Sequence, residues 1–280
     1  MSIDKLCLIV CDFYIAGSRP MPWRESQADG TYDPYKILVS ELMLQQTQVA
    51  RVIPKFELFI KALPSVEALA NAPLSDVLKL WSGLGYNRRA RFLHESAKTI
   101  CSEYDGIIPN DQEKLEALHG VGKNTAAAVR AYAFNEAVAF IETNIRSVFL
   151  HHLFSDRVDV TDAQLLPKVE EALSAKTNSL DPRQWYWALM DYGVYLKDAH
   201  SNPSRRSKHH TTQSKFKGSR REVRGAVLKL LSSHPQSREE LAGSVPTPDY
   251  LDTVLESLAN EGLITQVGDM YYLGDAILKR

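Results

Sequence analysis

Apolar side chains recur with the spacing of an α-helix over most of the chain. Between residues 35 and 54 they fall at positions 37, 38, 42, 44, 49, 52 and 53, which predicts two amphipathic helices around a short break at 45–47. Prolines punctuate this pattern, and no strand-like alternation appears before residue 193. The sequence therefore predicts an all-α fold in this part, with helices near 3–16, 34–45, 47–62, 65–71, 73–80, 86–103, 111–117, 122–134, 144–153, 164–175 and 182–196.

The pattern changes in the last quarter of the chain. Residues 201–218 are polar and basic, which is typical of a linker, and helices are predicted near 220–232, 238–244 and 248–262. Two short alternating segments follow around a tight turn at Gly268–Asp269. Three helices and a hairpin resemble a winged helix, a module that binds DNA in many proteins and only protein in others. Its second and third helices favour packing or protein contact because they are acidic, with Glu239, Glu240, Asp249, Asp252, Glu256 and Glu261.

Charge is distributed unevenly, although the 280 residues carry a net charge of only −1. Residues 205–224 hold eight lysines and arginines against a single acid, Glu222. Such a strip is typical of a phosphate-contacting segment or of a solvated linker, and charge alone leaves both interpretations open. Under the first interpretation, Arg205, Arg206 and Lys208 bind DNA.

The cysteine content places the chain in a reducing environment. Cys7, Cys11 and Cys101 give no disulfide framework, and the apolar N-terminal segment is too short to cross a membrane and lacks a signal-peptide cleavage pattern. We therefore expect a cytoplasmic protein, associated with the nucleoid if it is bacterial. No metal site is expected at three histidines that no cysteine accompanies: His200, His209 and His210.

A glycine-containing turn separates two predicted helices at residues 116–132. Gly120 and Gly122 leave backbone N–H groups uncovered, and the next helix adds its unpaired N–H groups and the positive end of its dipole. With Lys123 beside them, these groups predict a phosphate-binding turn. The alternative is a glycine C-cap between two packed helices.

Glu41 is an acidic residue in an apolar setting. It lies in the first predicted helix of the pair, among Leu38, Leu42 and Leu44. A carboxyl group surrounded in this way has a raised pKa and holds a proton near neutral pH. An exposed position on the helix is the alternative.

These stretches, E-L-M-L-Q-Q-T-Q-V from Glu41 and L-H-G-V-G-K-N-T from Leu118, resemble the helix–hairpin–helix superfamily of DNA glycosylases, and within it the MutY-like adenine glycosylases. The similarity runs in register from about Pro22 to Gly193 and includes L-W-S-G-L-G-Y-N-R-R at 80–89. It implies a two-lobed HhH-GPD glycosylase fold, to which a winged-helix-like module is added. The expected divisions are an N-terminal helix at 1–28 that packs with the second lobe, a six-helix lobe with the hairpin at 29–136, the second lobe at 137–200, the linker at 201–218 and the module at 219–280.

The resemblance also implies a set of DNA contacts. Gln45 and Gln46 enter the duplex and contact bases, because an amide both donates and accepts hydrogen bonds. Tyr86 stacks or wedges between bases, and Arg88 and Arg89 meet phosphates. Core packing is the alternative for Tyr86, and an ordinary exposed helix start is the alternative for the arginines.

Cleavage of an N-glycosidic bond needs a general acid for the leaving base and a carboxylate for the sugar cation. The resemblance assigns these tasks to Glu41 and to Glu142, where the family has a shorter Asp. Glu142 also fits a helix-start acid beside an N-cap at Asn144. Asn124 stands at the catalytic position of the Schiff-base lysine of bifunctional relatives, and Lys123 is rotated by ~100° toward the phosphate, which predicts a monofunctional enzyme.

Two departures from the family pattern change the expected cofactor and specificity. Relatives hold an iron–sulfur cluster on four cysteines that follow the M-D-x-G motif, here Met190–Gly193, but this chain has no cysteine after Cys101. No such cluster and no other cofactor is therefore expected. Residues 219–280 are also too few for the Nudix-like domain with which adenine glycosylases sense 8-oxoguanine.

The first functional hypothesis is a monofunctional DNA glycosylase of base excision repair that removes adenine opposite 8-oxoguanine or guanine. A glycosylase for thymine, uracil or another damaged base opposite guanine is the second hypothesis. A non-catalytic DNA-binding module, inactivated by the change from Asp to Glu, is the third. The expected partner is double-stranded DNA with a mismatched or damaged base, and we expect a monomer with no membrane association.

Overall fold

Helices dominate the computed structural model of the chain, which describes residues 1–200, 202–208 and 215–275. This confirms the predicted all-α class, and each helix predicted before residue 193 forms with its ends shifted by three residues or fewer. In chain order they are α1 (Ile3–Ala16), α2 (Pro34–Leu44), α3 (Val49–Ala62), α4 (Val66–Asn71), α5 (Leu74–Trp81), α6 (Arg88–Glu103), α7 (Gln112–Glu116), α8 (Lys123–Phe134), α9 (Thr143–Leu153), α10 (Asp162–Leu173) and α11 (Pro182–Ala199).

Side-chain caps fix where several of these helices begin. Ser2 and Ser65 accept hydrogen bonds from backbone N–H groups in the first turns of α1 and α4. Asp181 does the same for α11, whose first residue, Pro182, has no N–H to satisfy. The polar residues between the apolar runs therefore set the element boundaries.

The chain divides into two compact units, each assembled from separate stretches. Unit 1 contains Met1–Glu41, Asn110–Ala117 and Val121–Thr212, and unit 2 contains Leu42–Pro109, Leu118–Gly120 and Gln213–Arg280. The division falls inside α2, directly after Glu41. The finer domain bounds inferred from the sequence stay a prediction.

Helix α11 is the central element of unit 1. It packs against α1, α8 and α9, and its buried residues include Trp185, Tyr186 and Leu189. Gly193 lies where α11 meets the start of α9, and a Cβ atom there would be 2.6 Å from the backbone oxygen of Asn144. Only a residue without a side chain allows the two helices to approach this closely.

Asp191 joins the segment after α1 to α11. Its carboxylate is buried and accepts two hydrogen bonds from the Arg24 guanidinium at 2.8 and 2.9 Å, and others from the backbone and side chain of Arg19 at 3.0 and 2.7 Å. Burial alone would raise the pKa of Asp191, but Arg24 and Arg19 hold it below its ordinary value. Asp191, the acid of the M-D-x-G motif, therefore has a structural role in unit 1, where it links α11 to the segment after α1.

Unit 2 contains α3 to α6 and the C-terminal module. Phe59 and Trp81 are fully buried, with ring centroids 6.2 Å apart in an edge-to-face arrangement. The module consists of α12 (Arg220–Leu231), β1 (Gln236–Ser237), α13 (Arg238–Ser244), α14 (Leu251–Asn260), β2 (Ile264–Val267) and β3 (Met270–Leu273).

The strands of the module form an antiparallel sheet in the order β1-β3-β2. Val267 pairs with Met270 across the turn predicted at Gly268–Asp269, and Gly268 has a φ of 58°. The predicted hairpin is thus confirmed, but β1 was not predicted, because two residues are too few to show an alternating pattern. The predicted helix at 248–262 is shorter than expected and is preceded by a 3-10 turn at Pro248–Tyr250.

Across the part of the chain that the structure describes, no helix combines the length and the apolar character that crossing a membrane requires.

The ion pairs of Asp191 with Arg24 and Arg19 predict a large loss of stability when the carboxylate is removed. Replacing Asp191 with Asn leaves the Arg24 and Arg19 charges without their counter-charge, so the free energy of unfolding should fall by about 3 kcal/mol. Urea unfolding followed by circular dichroism measures this change. As the matched control, Asp76→Asn breaks a half-exposed ion pair with Lys79 and should cost less than about 1 kcal/mol. Equal effects of the two variants would contradict the structural role of Asp191.

Candidate active site

Glu41 lies at the end of the α2 segment that belongs to unit 1, and its side chain is half-buried. Its neighbours Leu38 and Leu42 are buried, as the sequence analysis expects. Burial, together with the negative charge of Glu142, raises the pKa of Glu41 to about 8. Glu41 is therefore protonated at neutral pH and can give a proton to a leaving group.

Glu142 ends an extended segment and caps α9. Its Oε1 accepts hydrogen bonds from the backbone N–H groups of Asn144 at 2.6 Å and Ile145 at 2.9 Å. The N-cap is thus Glu142, and the prediction that Asn144 is the cap is wrong, because the longer Glu side chain reaches back to both N–H groups. The positive end of the α9 dipole faces this carboxylate.

Opposing effects act on the ionisation of Glu142. Burial raises its pKa, whereas the hydrogen bonds from Ile145 and Asn144 and the positive charges of Lys197 and Arg146 oppose that rise. The net pKa lies above the ordinary value for Glu. The donors and cations nevertheless favour the charged form, which is the form that can stabilise a cation.

Lys197 is a site residue that the sequence analysis missed. Its Nζ donates to Oδ1 of Asn144 at 2.6 Å, and Nδ2 of Asn144 lies 3.5 Å from Oε2 of Glu142. Burial lowers the pKa of Lys197, and the charge of Glu142 opposes that change. One signal was present in the sequence: Lys197 follows Gly193 by four residues and therefore lies on the same face of α11.

Tyr132 and Trp187 form an aromatic wall near the two carboxyl groups. Tyr132 is buried in α8, and burial followed by the charges of Glu41 and Glu142 raises its pKa well above the ordinary value. Its ring stacks on Trp187 with centroids 6.2 Å apart and an interplanar angle of 12°. The Arg24 guanidinium lies 5.3 Å from the centroid of the Trp187 ring. The sequence analysis missed both aromatic residues, because buried aromatic residues on helices are common in any core.

Asn124 holds the backbone that leads to Glu142. Its Nδ2 donates to the carbonyl of Ile141 at 2.8 Å, which links the first turn of α8 to the residue before Glu142. Lys123, one position earlier, is exposed. The Asn124 amide therefore helps to fix the position of the backbone at Glu142.

The turn between α7 and α8 needs glycine at one position and leaves the start of α8 uncovered at another. Gly120 has a φ of 77°, and a Cβ atom there would lie 2.9 Å from the side chain of Phe92. Gly122 is the exposed N-cap of α8, so no side chain covers the first N–H groups of that helix. The phosphate contact of Gly120, Gly122 and Lys123 stays a prediction.

Gln45, Gln46 and Tyr86 lie on loops of unit 2. Gln46 and Tyr86 have φ values of 53° and 48°, which non-glycine residues rarely adopt and which often mark functional loops. Tyr86 is 40% exposed, which argues against core packing. Gln45 donates from Nε2 to the carbonyl of Gly120 at 3.4 Å.

Arg88 and Arg89 have different roles. Arg88 is exposed, whereas Arg89 is buried and donates to the carbonyls of Leu42 and Met43, with 2.9 Å to the latter, and to Gly85 at 3.0 Å. Arg89 thus holds the C-terminal end of α2 against the loop before α6. The expected phosphate contact of Arg89 is therefore corrected, because its guanidinium is enclosed by protein acceptors, and the contact of Arg88 stays a prediction.

The basic strip is only partly exposed. Arg206 lies in a 3-10 turn, and its guanidinium caps the C-terminal end of α9 by donating to the carbonyls of Leu150 at 2.9 Å, Phe154 at 3.3 Å and Ser155. Its side chain is half-buried, and its DNA contact stays a prediction. Arg205 and Lys208 are exposed, and their DNA contacts stay predictions. His209 and His210 lie outside the described residues.

Comparison with known proteins agrees with this geometry. The profile of HhH-GPD superfamily base excision DNA repair proteins matches residues 39–174. An adenine DNA glycosylase of Mycolicibacterium smegmatis is 32% identical over 287 residues, which cover 96% of this chain and 95% of that protein. The adenine DNA glycosylase of Mycobacterium tuberculosis is 32% identical over 92% of this chain and 89% of its own length.

The chain belongs to the adenine DNA glycosylase family.

A further adenine glycosylase and two solved structures are also similar to the chain. The human adenine DNA glycosylase is 39% identical over 49% of this chain, which corresponds to 26% of the human protein. A thermostable thymine-DNA glycosylase is similar with a TM-score of 0.57 and 25% identity over 69% of this chain. Endonuclease III trapped on DNA shares the fold with a TM-score of 0.52 and 17% identity. The protein is therefore a DNA glycosylase of base excision repair, and DNA is its substrate.

The donor set of this family member does not fit the iron–sulfur cluster of its relatives. Such a cluster needs four thiolates after the M-D-x-G motif, but the chain has three cysteines, all before that motif. Two of them, Cys7 and Cys11, are buried in α1, and burial raises the pKa of Cys7 to about 11. None of the cysteines therefore lies where the cluster ligands would be, and burial disfavours the thiolate of Cys7.

The raised pKa of Glu41 predicts the pH dependence of catalysis in this glycosylase. The acid must be protonated to act, so kcat/KM for base release should fall about tenfold per pH unit above about pH 8. Glu41→Gln should reduce base release by orders of magnitude while keeping duplex affinity. Glu57→Gln, on an exposed face of α3, is the matched control and should behave like the wild type. A flat profile between pH 7 and pH 10 in the wild type would exclude Glu41 as the general acid.

Proposed function

We propose that this glycosylase removes adenine that lies opposite 8-oxoguanine or guanine and leaves an abasic site. The observation that carries the proposal is the pairing of a protonated Glu41 with Glu142, whose hydrogen bonds favour its charged form, in one unit. The relatives that match most of the chain are adenine DNA glycosylases, which supports adenine as the base.

The chemistry follows from the two carboxyl groups. Glu41 donates its proton to a ring nitrogen of the extruded adenine as the bond between that base and C1′ of the sugar breaks, and the base leaves with the electron pair. Glu142, as carboxylate, stabilises the positive charge that develops on the sugar. Water then adds to C1′ and loses a proton, which completes the hydrolysis without cutting the strand.

The proposed reaction uses no lysine nucleophile. At the position where bifunctional relatives place that lysine, the Asn124 amide is hydrogen-bonded to the backbone before Glu142. An amide does not form a Schiff base with the sugar. We therefore infer a monofunctional enzyme. We also propose that it works as a cytoplasmic monomer and without an iron–sulfur cluster.

The similarity to a thymine-DNA glycosylase supports a second candidate function, the removal of thymine or uracil opposite guanine. Because that protein shares the fold and 25% sequence identity with this chain, thymine or uracil is the main alternative to adenine as the excised base. An incubation of the enzyme with duplexes that carry A·8-oxoG, A·G, T·G and U·G pairs, followed by hot alkali to reveal abasic sites, separates the two. Release of adenine from the first two duplexes supports the proposal. Release of a base only from the T·G and U·G duplexes supports the second candidate function.

The extra methylene of Glu142 gives the sharpest mutational prediction. Glu142→Gln should abolish base release because an amide carries no charge to stabilise the sugar cation, and binding to DNA should persist. Glu142→Asp keeps a good N-cap but draws the carboxylate back by ~1 Å, so base release should fall about 100-fold. Single-turnover rates measure both effects. Equal rates for Glu, Asp and Gln would remove Glu142 from the catalytic site, and no base release by the wild type from any duplex would favour a non-catalytic DNA-binding protein.

A further inference from the structure

Lys197 is a half-buried cation near Glu142 that has no task in the two-carboxylate chemistry. It lies on α11, one turn after Gly193, and its Nζ donates to Oδ1 of Asn144 at 2.6 Å. Lysine side chains are rarely taken out of water without a partner, because burial disfavours their charge. Burial accordingly lowers the pKa of Lys197, and the charge of Glu142 opposes that change. An ammonium group placed in this way acts on its neighbours through its hydrogen bonds and its charge.

The hydrogen bond from Lys197 fixes which end of the Asn144 amide faces Glu142. An ammonium group has three donors and no acceptor, so Lys197 can bind only the oxygen of the amide. The Nδ2 group then points the other way, where it lies 3.5 Å from Oε2 of Glu142 and 3.8 Å from the sulfur of Met190. The reverse orientation would place N–H groups against the ammonium group and an oxygen against the carboxylate. Lys197 therefore makes Asn144 a donor toward Glu142.

The two oxygens of Glu142 have separate partners. Oε1 accepts the two backbone N–H groups at the start of α9, at 2.6 and 2.9 Å. Oε2 faces the Asn144 amide at the longer distance of 3.5 Å. Oε2 is therefore the less tightly bound oxygen, which leaves it able to face a developing cation, and the donor that directs it is held by Lys197.

Charge reaches Glu142 and Lys197 from several helices. The groups coupled to them by charge lie on α2, α8, α9 and α11: Glu41, Tyr132, Arg146 and Asp198. Burial raises the pKa values of Glu41 and Tyr132, so both are neutral at pH 7. Arg146 donates to both oxygens of Asp162 at 2.8 Å, and that carboxylate offsets its charge. Lys197 instead donates to a neutral amide, and its charge opposes the effect of burial on the pKa of Glu142 more than that of Arg146 does.

We propose that Lys197 is a positioning residue for the sugar-stabilising carboxylate: it holds the Asn144 amide so that its nitrogen faces Oε2 of Glu142, and its charge keeps Glu142 ionised. The inference rests on the proposed function, in which Glu142 acts as a carboxylate. It gives Lys197 no contact with the sugar or the base. Lys197 thus differs from the lysine of bifunctional relatives, which attacks the sugar, because its Nζ is bound to Asn144.

The first test compares the pH dependence of single-turnover base release by the wild type, Lys197→Met and Lys197→Arg. Lys197→Met keeps the length of the side chain but removes its donors and charge, so Glu142 should take up a proton at higher pH. The acidic limb of the rate profile should therefore move up by about one pH unit, and the rate below it should fall about tenfold. The basic limb should stay near pH 8, where Glu41 loses its proton. A merely structural role would lower the rate equally at every pH.

Lys197→Arg should restore the wild-type profile, because arginine is also a cation with donors and no acceptor. Lys168→Met is the matched control: it removes an exposed lysine of the same unit, which pairs with Glu171, and should leave the profile unchanged. If circular dichroism shows that Lys197→Met is unfolded, Lys197→Gln removes the charge and keeps polar atoms at this position.

Duplex affinity separates this role from a phosphate contact. Lys197→Met should bind DNA as tightly as the wild type, because the wild-type ammonium group is bound to protein. An unchanged pH profile, with weaker binding and a slope of log affinity against log salt that is smaller by about 1, would identify Lys197 as a phosphate ligand and overturn the proposal.

The ionisation of Glu142 is also measured without catalysis. In protein labelled with carbon-13 at the glutamate carboxyl groups, the signal of Glu142 is the one that Glu142→Gln removes. Its titration midpoint should lie about one pH unit higher in Lys197→Met than in the wild type. An unchanged midpoint overturns the proposal, whichever base the enzyme releases. A raised midpoint in a protein that releases no base from any mismatched duplex rejects the proposed function and leaves the effect of Lys197 on Glu142 standing.

Discussion

The close approach of α11 to the start of α9 is the constraint on which the site depends. Because Gly193 has no side chain, α11 can lie against the backbone of Asn144, and Lys197 on the next turn then reaches the Asn144 side chain. The same contact fixes the first turn of α9, whose N–H groups bind Glu142. A methyl group at position 193 would move the helix, and with it the whole set of groups that hold the carboxylate.

Glu41 and Glu142 lie in the same unit, but their surroundings favour different ionisation states. Glu41 has apolar neighbours and the charge of Glu142 nearby, and both favour its neutral form. Glu142 is also half-buried, but two backbone N–H groups and Lys197 supply the hydrogen bonds and positive charge that its ionised form needs. Tyr132, which stacks on Trp187, is buried and its pKa is raised by the charges of both glutamates. The surroundings of Glu41 therefore favour its neutral form, whereas the hydrogen bonds and cations around Glu142 favour its charged form.

The sequence was sufficient for the features that depend on local pattern. Helical periodicity located the helices, and the leucines around Glu41 were enough to predict its raised pKa. Features that depend on contacts between distant residues were not predictable. Arg89 looked like a phosphate ligand because a one-letter sequence does not show which arginines turn inward to bind backbone carbonyls. The two-residue strand β1 exists only because β3 pairs with it.

The discontinuous composition of the two units has a consequence for the order of events during synthesis. Helix α1 packs on α10 and α11, which follow it by about 150 residues, so its apolar face leaves the ribosome on the order of ten seconds before its partners. Helices α3 to α6 of unit 2 instead pack mainly on one another and leave the ribosome together. Unit 1 cannot close before α10 and α11 have been made. An interrupted translation product of this gene would therefore expose unburied apolar surface and be a target for chaperones and proteases, not a partly active repair enzyme.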